Sequence, residues 1–105
     1  MPISKIKQNS FETDVTPIGV GQTWTNVSGS RATGTTYFNT TGRPIQVNVV
    51  FNAGATTTCT LTVNSILVGS TNVVTNMPQT LVAIVPSGGS YVTAGTSVNN
   101  WAELR

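Results

Sequence analysis

Few side chains in this sequence suit acid–base or nucleophilic chemistry. The acidic residues are Glu12, Asp14 and Glu103, the lysines are Lys5 and Lys7, and there is no histidine. Histidine is the usual proton-transfer group near neutral pH, and a serine or cysteine nucleophile needs a neighbouring base. A carboxylate pair for glycoside hydrolysis would have to come from the same three acids. We therefore expect a protein that is not an enzyme.

Two of the acids have a spacing that a metal ion could use. In an extended segment Glu12 and Asp14 project to the same side, and paired carboxylate oxygens suit a hard cation. We favour the simpler interpretation that both are solvated charges beside a turn. The segment Gly19-Val20-Gly21 is followed by neither the helix nor the lysine of a phosphate-binding loop. The sequence thus predicts no metal site and no cofactor.

The low charge of the chain limits its partners. Five basic and three acidic residues give a formal net charge of +2, with no basic stripe to neutralise nucleic-acid phosphates. No apolar window is long enough to span a membrane, and residues 1–8 lack the apolar core of a secretory signal. We expect cytoplasmic synthesis without a signal peptide, no nucleic-acid binding and no membrane insertion. Weakly charged surfaces repel one another weakly, which favours self-association.

The composition predicts the elements that position these residues. Thr, Val, Asn and Ser together fill 52 of the 105 positions, whereas Leu occurs four times. Residues branched at Cβ favour strands, and the good helix formers are scarce. We predict an all-β chain in two parts. Residues 1–20 would form an N-terminal arm or linker for attachment, and residues 21–105 a small antiparallel β-sandwich.

Alternation of apolar residues predicts two of the strands. In the segment 45–51 every second residue is apolar, and we pair this strand with 35–39 in a hairpin through 40–43. A second alternating run, 58–64, places threonines on one face and Cys59 on the other. A lone cysteine cannot form a disulfide within the chain, so its thiol is predicted to be buried and inert.

The C-terminal half of the chain supplies further strand signals. Asn64-Ser65 separates two apolar runs and predicts a two-residue hairpin turn. The segment 81–85 is apolar at every position, so it should lie centrally between sheets or against another subunit. A turn at 86–89 leads into a strand at 90–93. The last five residues, 101–105, are predicted to close a sheet.

Seven aromatic residues could fill the core or stack on a sugar ring. Most must be buried in so small a domain, so Trp24 and Trp101 are predicted as core residues rather than ligand platforms. Tyr37 and Phe38 are adjacent and point to opposite faces of a strand. One of these two is therefore expected to face outward or into an interface.

Four blocks of sequence occur in an order that resembles a known family. They are Gly21-Gln22-Thr23-Trp24, the block 34–47 (GTTYFNTTGRPIQV), the turn 85–91 (VPSGGSY) and the terminal 101–105 (WAELR). Together they resemble the C-terminal domain found at the ends of bacteriophage and prophage tail fibres. The resemblance covers residues 21–105.

The resemblance implies a homotrimeric β-sandwich on the virion that recognises the bacterial host surface without catalysis. Its partners would be copies of itself, a bacterial surface glycan or other receptor, and another virion tail or baseplate protein that holds the arm. Several weak saccharide sites on one particle would raise the avidity. Arg31 and Arg43 belong to the same family pattern, so a structural role is implied, with a carboxylate of a neighbouring subunit as a partner.

Receptor contacts are predicted in turns that lie outside the family blocks. The segments 52–57 and 69–78 are polar and rich in Asn and Thr, although ordinary solvated loops share that composition. Within them the candidate receptor-binding residues are Asn52, Thr56, Thr71, Asn72 and Asn76. The candidate trimer-interface residues come from the apolar segment, and they are Leu81, Val82, Ile84 and Val85.

A second class of function stays open at this point. The chain could be a structural virion component, such as a baseplate, collar or decoration protein, whose trimer binds no host ligand. An enzyme that cleaves surface polysaccharide is a more distant alternative, since it would have to use Glu12, Asp14 or Glu103.

Overall fold

Alternating short strands build two antiparallel sheets that pack face to face. The computed structural model describes residues 17–51, 56–74, 77–95 and 98–105. Sheet A has the strand order β1-β8-β3-β6, and sheet B has the order β2-β7-β4-β5. The strands are β1 Trp24–Asn26, β2 Tyr37–Phe38, β3 Ile45–Phe51, β4 Thr57–Val63, β5 Ile66–Val73, β6 Gln79–Val85, β7 Ser90–Ala94 and β8 Val98–Leu104, with a 3₁₀ turn at Ser28–Ser30. The predicted all-β fold is confirmed.

Side-chain alternation places the core between the sheets as expected. In β3 every second residue from Ile45 to Phe51 is buried. In β4 the buried residues include Cys59, whose thiol is free and inside the core. The predictions for these two strands are confirmed. Residues 1–16 of the predicted arm lie outside the described residues, and 17–20 enter a turn.

The predicted hairpin between 35–39 and 45–51 is wrong. β2 pairs with β7 in sheet B, whereas β3 pairs with β6 and β8 in sheet A. The chain between them therefore crosses from one sheet to the other. Asn39, only 2% exposed, holds this crossing. Its amide nitrogen donates to the carbonyls of Arg43, Val85 and Pro86 at 2.6, 3.0 and 3.1 Å.

The predicted turns at 64–65 and 86–89 are confirmed. Asn64 and Ser65 have φ angles of 51° and 66°, the left-handed conformation that a two-residue hairpin turn requires. The second turn leads into β7, and the C-terminal strand β8 buries Trp101 completely. Tyr37 packs against the core and Phe38 is 69% exposed, as expected of neighbours on one strand.

One prediction about burial is wrong, and a second is narrowed to one of its two alternatives. Trp24 is 52% exposed, because it lies on the outer face of the three-residue edge strand β1. The apolar strand β6 is an edge strand, so a central position between sheets is excluded, whereas contact of this strand with another subunit stays a prediction. Only its inner face is covered within the protomer, since Val82 and Ile84 are 50% and 46% exposed.

The register of the strands gives the sandwich two different ends. Phe51 lies opposite both Gln79 and Val98, and Thr57 lies opposite Val73. The connections β3–β4, β5–β6 and β7–β8 therefore leave the sheets at one end, which we call the loop end. The turns at 64–65 and 86–89 lie at the opposite end, which we call the turn end.

Candidate functional site

A network of charged and aromatic side chains fills one side of the sandwich near β8. Glu103, 1% exposed, is its centre. Alternation along β8 points Trp101 and Glu103 to the same inner face. The Glu103 carboxylate accepts a hydrogen bond from the Tyr91 hydroxyl, and that hydroxyl accepts one from the indole nitrogen of Trp101 at 3.2 Å.

Two arginines neutralise this carboxylate. Arg31 donates from Nε and Nη2 to the two oxygens of Glu103 at 3.2 and 3.3 Å. Arg105 donates from Nη1 to Oε1 at 2.9 Å. The guanidinium of Arg31 also lies 4.6 Å from the centre of the Tyr37 ring, a cation–π contact. The carboxylate therefore has partners for both oxygens, as a buried charge requires.

Burial and hydrogen bonding shift two pKa values in this network. Burial, followed by the hydrogen bond to Glu103, raises the pKa of Tyr91 well above its ordinary value. Burial alone would lower the pKa of Arg31, but its bonds to Tyr91 and Glu103 outweigh that effect and raise it. Near neutral pH the phenol stays protonated and the guanidinium stays charged. Glu103, Tyr91 and Arg31 are thus all hydrogen-bonded to one another within the network.

The protonated state of Tyr91 predicts a fall in stability at alkaline pH. An unfolded tyrosine loses its proton at about pH 10, whereas Tyr91 keeps its proton in the folded state. Its stabilising effect is complete below about pH 10 and declines above it by up to about 1.4 kcal/mol per pH unit. Tyr91→Phe should remove this part of the slope. Urea unfolding at several alkaline pH values measures how the free energy of unfolding changes with pH. Equal slopes for the wild type and the variant would contradict the attribution of this pH dependence to Tyr91.

A shallow depression lies beside the network. It has a volume of about 230 Å³ and is lined by Ser28, Arg31, Ala32, Thr33 and Val98. Most small-molecule pockets fall between about 300 and 1,000 Å³. The Arg31 guanidinium is already bonded to Glu103, so a ligand here would meet mainly two hydroxyl groups. The depression is too small and too poorly charged to define a ligand class.

The structure describes three of the five predicted receptor-binding residues. Thr56 is exposed just before β4 at the loop end. Thr71 and Asn72 lie on β5, so the predicted turn at 69–78 is wrong for its first half. Asn72 is exposed and its Oδ1 accepts a hydrogen bond from the Thr58 hydroxyl at 2.9 Å. Asn52 and Asn76 lie outside the described residues.

The predicted trimer-interface residues lie on two opposite faces of β6. Leu81 and Val85 point into the core, where they are 9% and 0% exposed. They fill the space between the two sheets of the protomer. Val82 and Ile84 project from the outer face of sheet A.

The remaining charged residues are structural or lie outside the described part of the chain. Arg31 binds a carboxylate of its own chain, that of Glu103. Arg43 donates from Nη2 to the carbonyl of Pro17 at 3.0 Å and so ties the entering chain to the turn end. Glu12 and Asp14 are outside the described residues. Within the described ranges, no three His, Cys, Asp or Glu side chains come together, and no helix is long and apolar enough to cross a membrane.

Sequence reasoning missed Asn39 and the role of Glu103. A signal for Glu103 was present, because it alternates with Trp101 on a strand predicted to close the sheet. An ionised acid on the inner face of such a strand needs a cation or several hydrogen-bond donors beside it.

No model of a protein family, no curated protein and no solved structure matches this chain.

Proposed function

We propose that this domain is the tip of a bacteriophage tail fibre. It attaches to a bacterial surface saccharide by non-catalytic binding, and three copies act together. The proposal rests on the sequence blocks described above. Among the structural observations, the separation between the turn end and the loop end carries it.

The chain enters the sandwich at the turn end. Arg43 fixes the carbonyl of Pro17, and Gln22 donates from Nε2 to the carbonyl of Pro44 at 2.9 Å. An attachment segment preceding residue 17 would therefore join the domain at this end. The strand ends Phe51, Val73 and Ala94 at the loop end then lie at the opposite end of the sandwich from the attachment. An adhesin tip needs this polarity, because the receptor must be met by the end remote from the shaft.

The surface next to the loop end suits a neutral saccharide. Thr56, Thr58 and Asn72 present uncharged hydrogen-bonding groups there. No charged residue occurs between Pro44 and Ala102, so recognition on this surface would depend on hydroxyl and amide groups. A single such site is weak. Linked copies raise avidity by roughly 10²–10⁴ when their geometry allows simultaneous contact.

The double substitution Thr56→Ala/Asn72→Ala tests the adhesive role. We expect cell binding by the purified protein to weaken by about tenfold or more, since one lost hydrogen bond of about 1 kcal/mol is multiplied over several copies. The matched control is Thr40→Ala/Ser87→Ala, which removes two exposed hydroxyls at the turn end. It should bind within about twofold of wild type. Fluorescence-labelled protein on a panel of bacterial strains provides the measurement, with circular dichroism to confirm folding.

Two outcomes would contradict this proposal. An equal loss of cell binding in both double variants would exclude the loop end as the binding surface. Binding to no strain, together with tight binding to isolated baseplates or capsids, would instead favour a structural virion component.

A further inference from the structure

We propose that the outer face of sheet B carries a binding strip for an extended, uncharged polysaccharide chain. The inference rests on the proposed function, because it names the shape and class of the saccharide. It extends the surface at the loop end along the whole of β4. The strip, which we call the threonine strip, consists of Thr56, Thr58, Thr60 and Thr62, with Ser70 and Asn72 of β5 beside them.

Alternation along β4 gives the threonine strip its regular spacing. Cys59, Leu61 and Val63 point into the core, so the threonines between them point outward. Successive outward positions are about 6.8 Å apart, and the strip is about 20 Å long from Thr56 to Thr62. A single sugar ring would reach only one or two of these hydroxyls. A chain of several sugar units is needed to contact all four.

Strand register places short side chains on both sides of the row. Thr58 lies opposite Asn72, and Thr60 lies opposite Ser70 on β5 and Ala94 on β7. Ser70 and Ala94 are exposed, and their side chains are no longer than that of Thr60. A ligand lying along the row therefore meets no raised rim at its centre.

The pair Thr58 and Asn72 presents both a donor and an acceptor to a ligand. The Thr58 hydroxyl donates to Oδ1 of Asn72 at 2.9 Å. This bond leaves the lone pairs of the Thr58 oxygen as acceptors and Nδ2 of Asn72 as a donor. Side chains branched at Cβ are stiff at χ1, so the hydroxyls of the strip lose little freedom when a ligand binds.

The composition of this row sets it apart from the other strands. Among the described strands, only β4 has the same hydrogen-bonding side chain at every outward position. A preference for β-branched residues alone does not account for the row, because valine would satisfy it equally. Val50 and Val82 occupy outward positions of sheet A, and Val92 occupies one of sheet B.

The absence of charge selects the class of polysaccharide. Strands β2, β4, β5 and β7 of sheet B contain no charged residue. An acidic polysaccharide would bring anions to a surface that has no cation to pair with them. A neutral polysaccharide brings hydroxyl groups, each of which donates one hydrogen bond and accepts up to two. The strip therefore fits a neutral chain.

The strip ends in an apolar contact towards the turn end. Thr62 lies opposite Val92 on one side and Leu67 on the other. Leu67 is 59% exposed. The C–H face of a sugar ring beside Thr62 would cover part of this side chain, and burial of apolar surface is favourable.

The dependence of affinity on chain length tests the inference. Neutral polysaccharide from a strain that the wild-type protein binds is partly hydrolysed, and the oligosaccharides are separated by length. Titration calorimetry then measures the affinity of one site, because short soluble chains do not link copies. Affinity should rise until the chain covers about 20 Å and then level off. Added salt should change it by less than about twofold, as expected for an uncharged ligand.

The double substitution Thr60→Val/Thr62→Val removes two hydroxyls and keeps the β-branched shape. We expect the affinity for the longer oligosaccharides to fall by about tenfold or more, since two hydrogen bonds are lost. The matched control is Thr25→Val/Thr80→Val, which removes two exposed strand hydroxyls from sheet A. It should bind within about twofold of wild type. Circular dichroism verifies folding.

An affinity that does not depend on chain length, or one that Thr60→Val/Thr62→Val leaves unchanged, overturns the inference. If Thr56→Ala/Asn72→Ala still loses cell binding, the adhesive role stands and the receptor is a short group met at the loop end. Binding only to strains with acidic polysaccharides also overturns the threonine strip, whereas binding to no strain contradicts the adhesive role as well. A changed molecular mass of Thr60→Val/Thr62→Val in light scattering would show that another copy covers the strip, which overturns the inference too.

Discussion

Replacing Glu103 with alanine should lower the free energy of unfolding by about 3–5 kcal/mol. The Glu103 side chain is 2% exposed and that of Arg31 is 17% exposed, so the pair is almost wholly removed from water. Among the described residues, removing the carboxylate leaves the guanidinium with the Tyr91 hydroxyl, the Ser30 carbonyl and the Tyr37 ring as contacts. The Tyr91 hydroxyl also loses its acceptor. An unpaired buried charge is among the most destabilising changes a core can suffer.

Two further variants separate charge from shape in this network. Glu103→Gln keeps the volume and one acceptor oxygen, so we expect a smaller loss than for alanine. Arg105→Ala removes only the outer partner, whose side chain is 36% exposed, and should cost at most about 1 kcal/mol. Urea unfolding at one fixed protein concentration provides the comparison, because any self-association would also contribute to apparent stability. A loss below about 1 kcal/mol for Glu103→Ala would contradict a network role.

The strands could be predicted from sequence where local alternation decides them. β3 and β4 were predictable because the apolar positions recur at every second residue, which is enough to orient both faces. The turn at Asn64-Ser65 was also predictable, since its residues tolerate a left-handed backbone. These features depend on neighbours within a few residues of each other.

The assignment of strands to the two sheets, and contacts between distant residues, could not be predicted in the same way. The partner of β2 depends on Asn39. Its amide donates to the carbonyls of Val85 and Pro86, which are 46 and 47 positions further along the chain. Likewise, Arg31 and Glu103 are 72 positions apart, and no local pattern joins them. Position in the sheet also decides exposure. Trp24 is apolar enough for a core, but an edge strand of three residues leaves its outer face uncovered.

Gly95 is a position that the sequence pattern did not single out and the structure makes indispensable. Its φ of +133° lies in a region that residues with a side chain rarely adopt. A Cβ atom built here would lie 2.6 Å from Sγ of Cys59 and 2.8 Å from the α-carbon of the same residue. The second of these atoms belongs to the backbone, so a change of rotamer cannot relieve the overlap. The end of β7 therefore approaches β4 more closely than any other residue would allow.

Gly95→Ala should lower the free energy of unfolding by about 3 kcal/mol or more, since overpacking and backbone strain each contribute about 1–3 kcal/mol. Gly88→Ala is the matched control, because Gly88 has a φ of +75° and no atom within 4 Å of a built Cβ. It should lose only about 1 kcal/mol through strain. Urea unfolding of both variants measures the difference, and equal losses would show that the close approach to Cys59 is unimportant. In a double-mutant cycle, Cys59→Ala should recover only part of the Gly95→Ala loss, because it removes the sulfur and leaves the overlap with the β4 backbone in place.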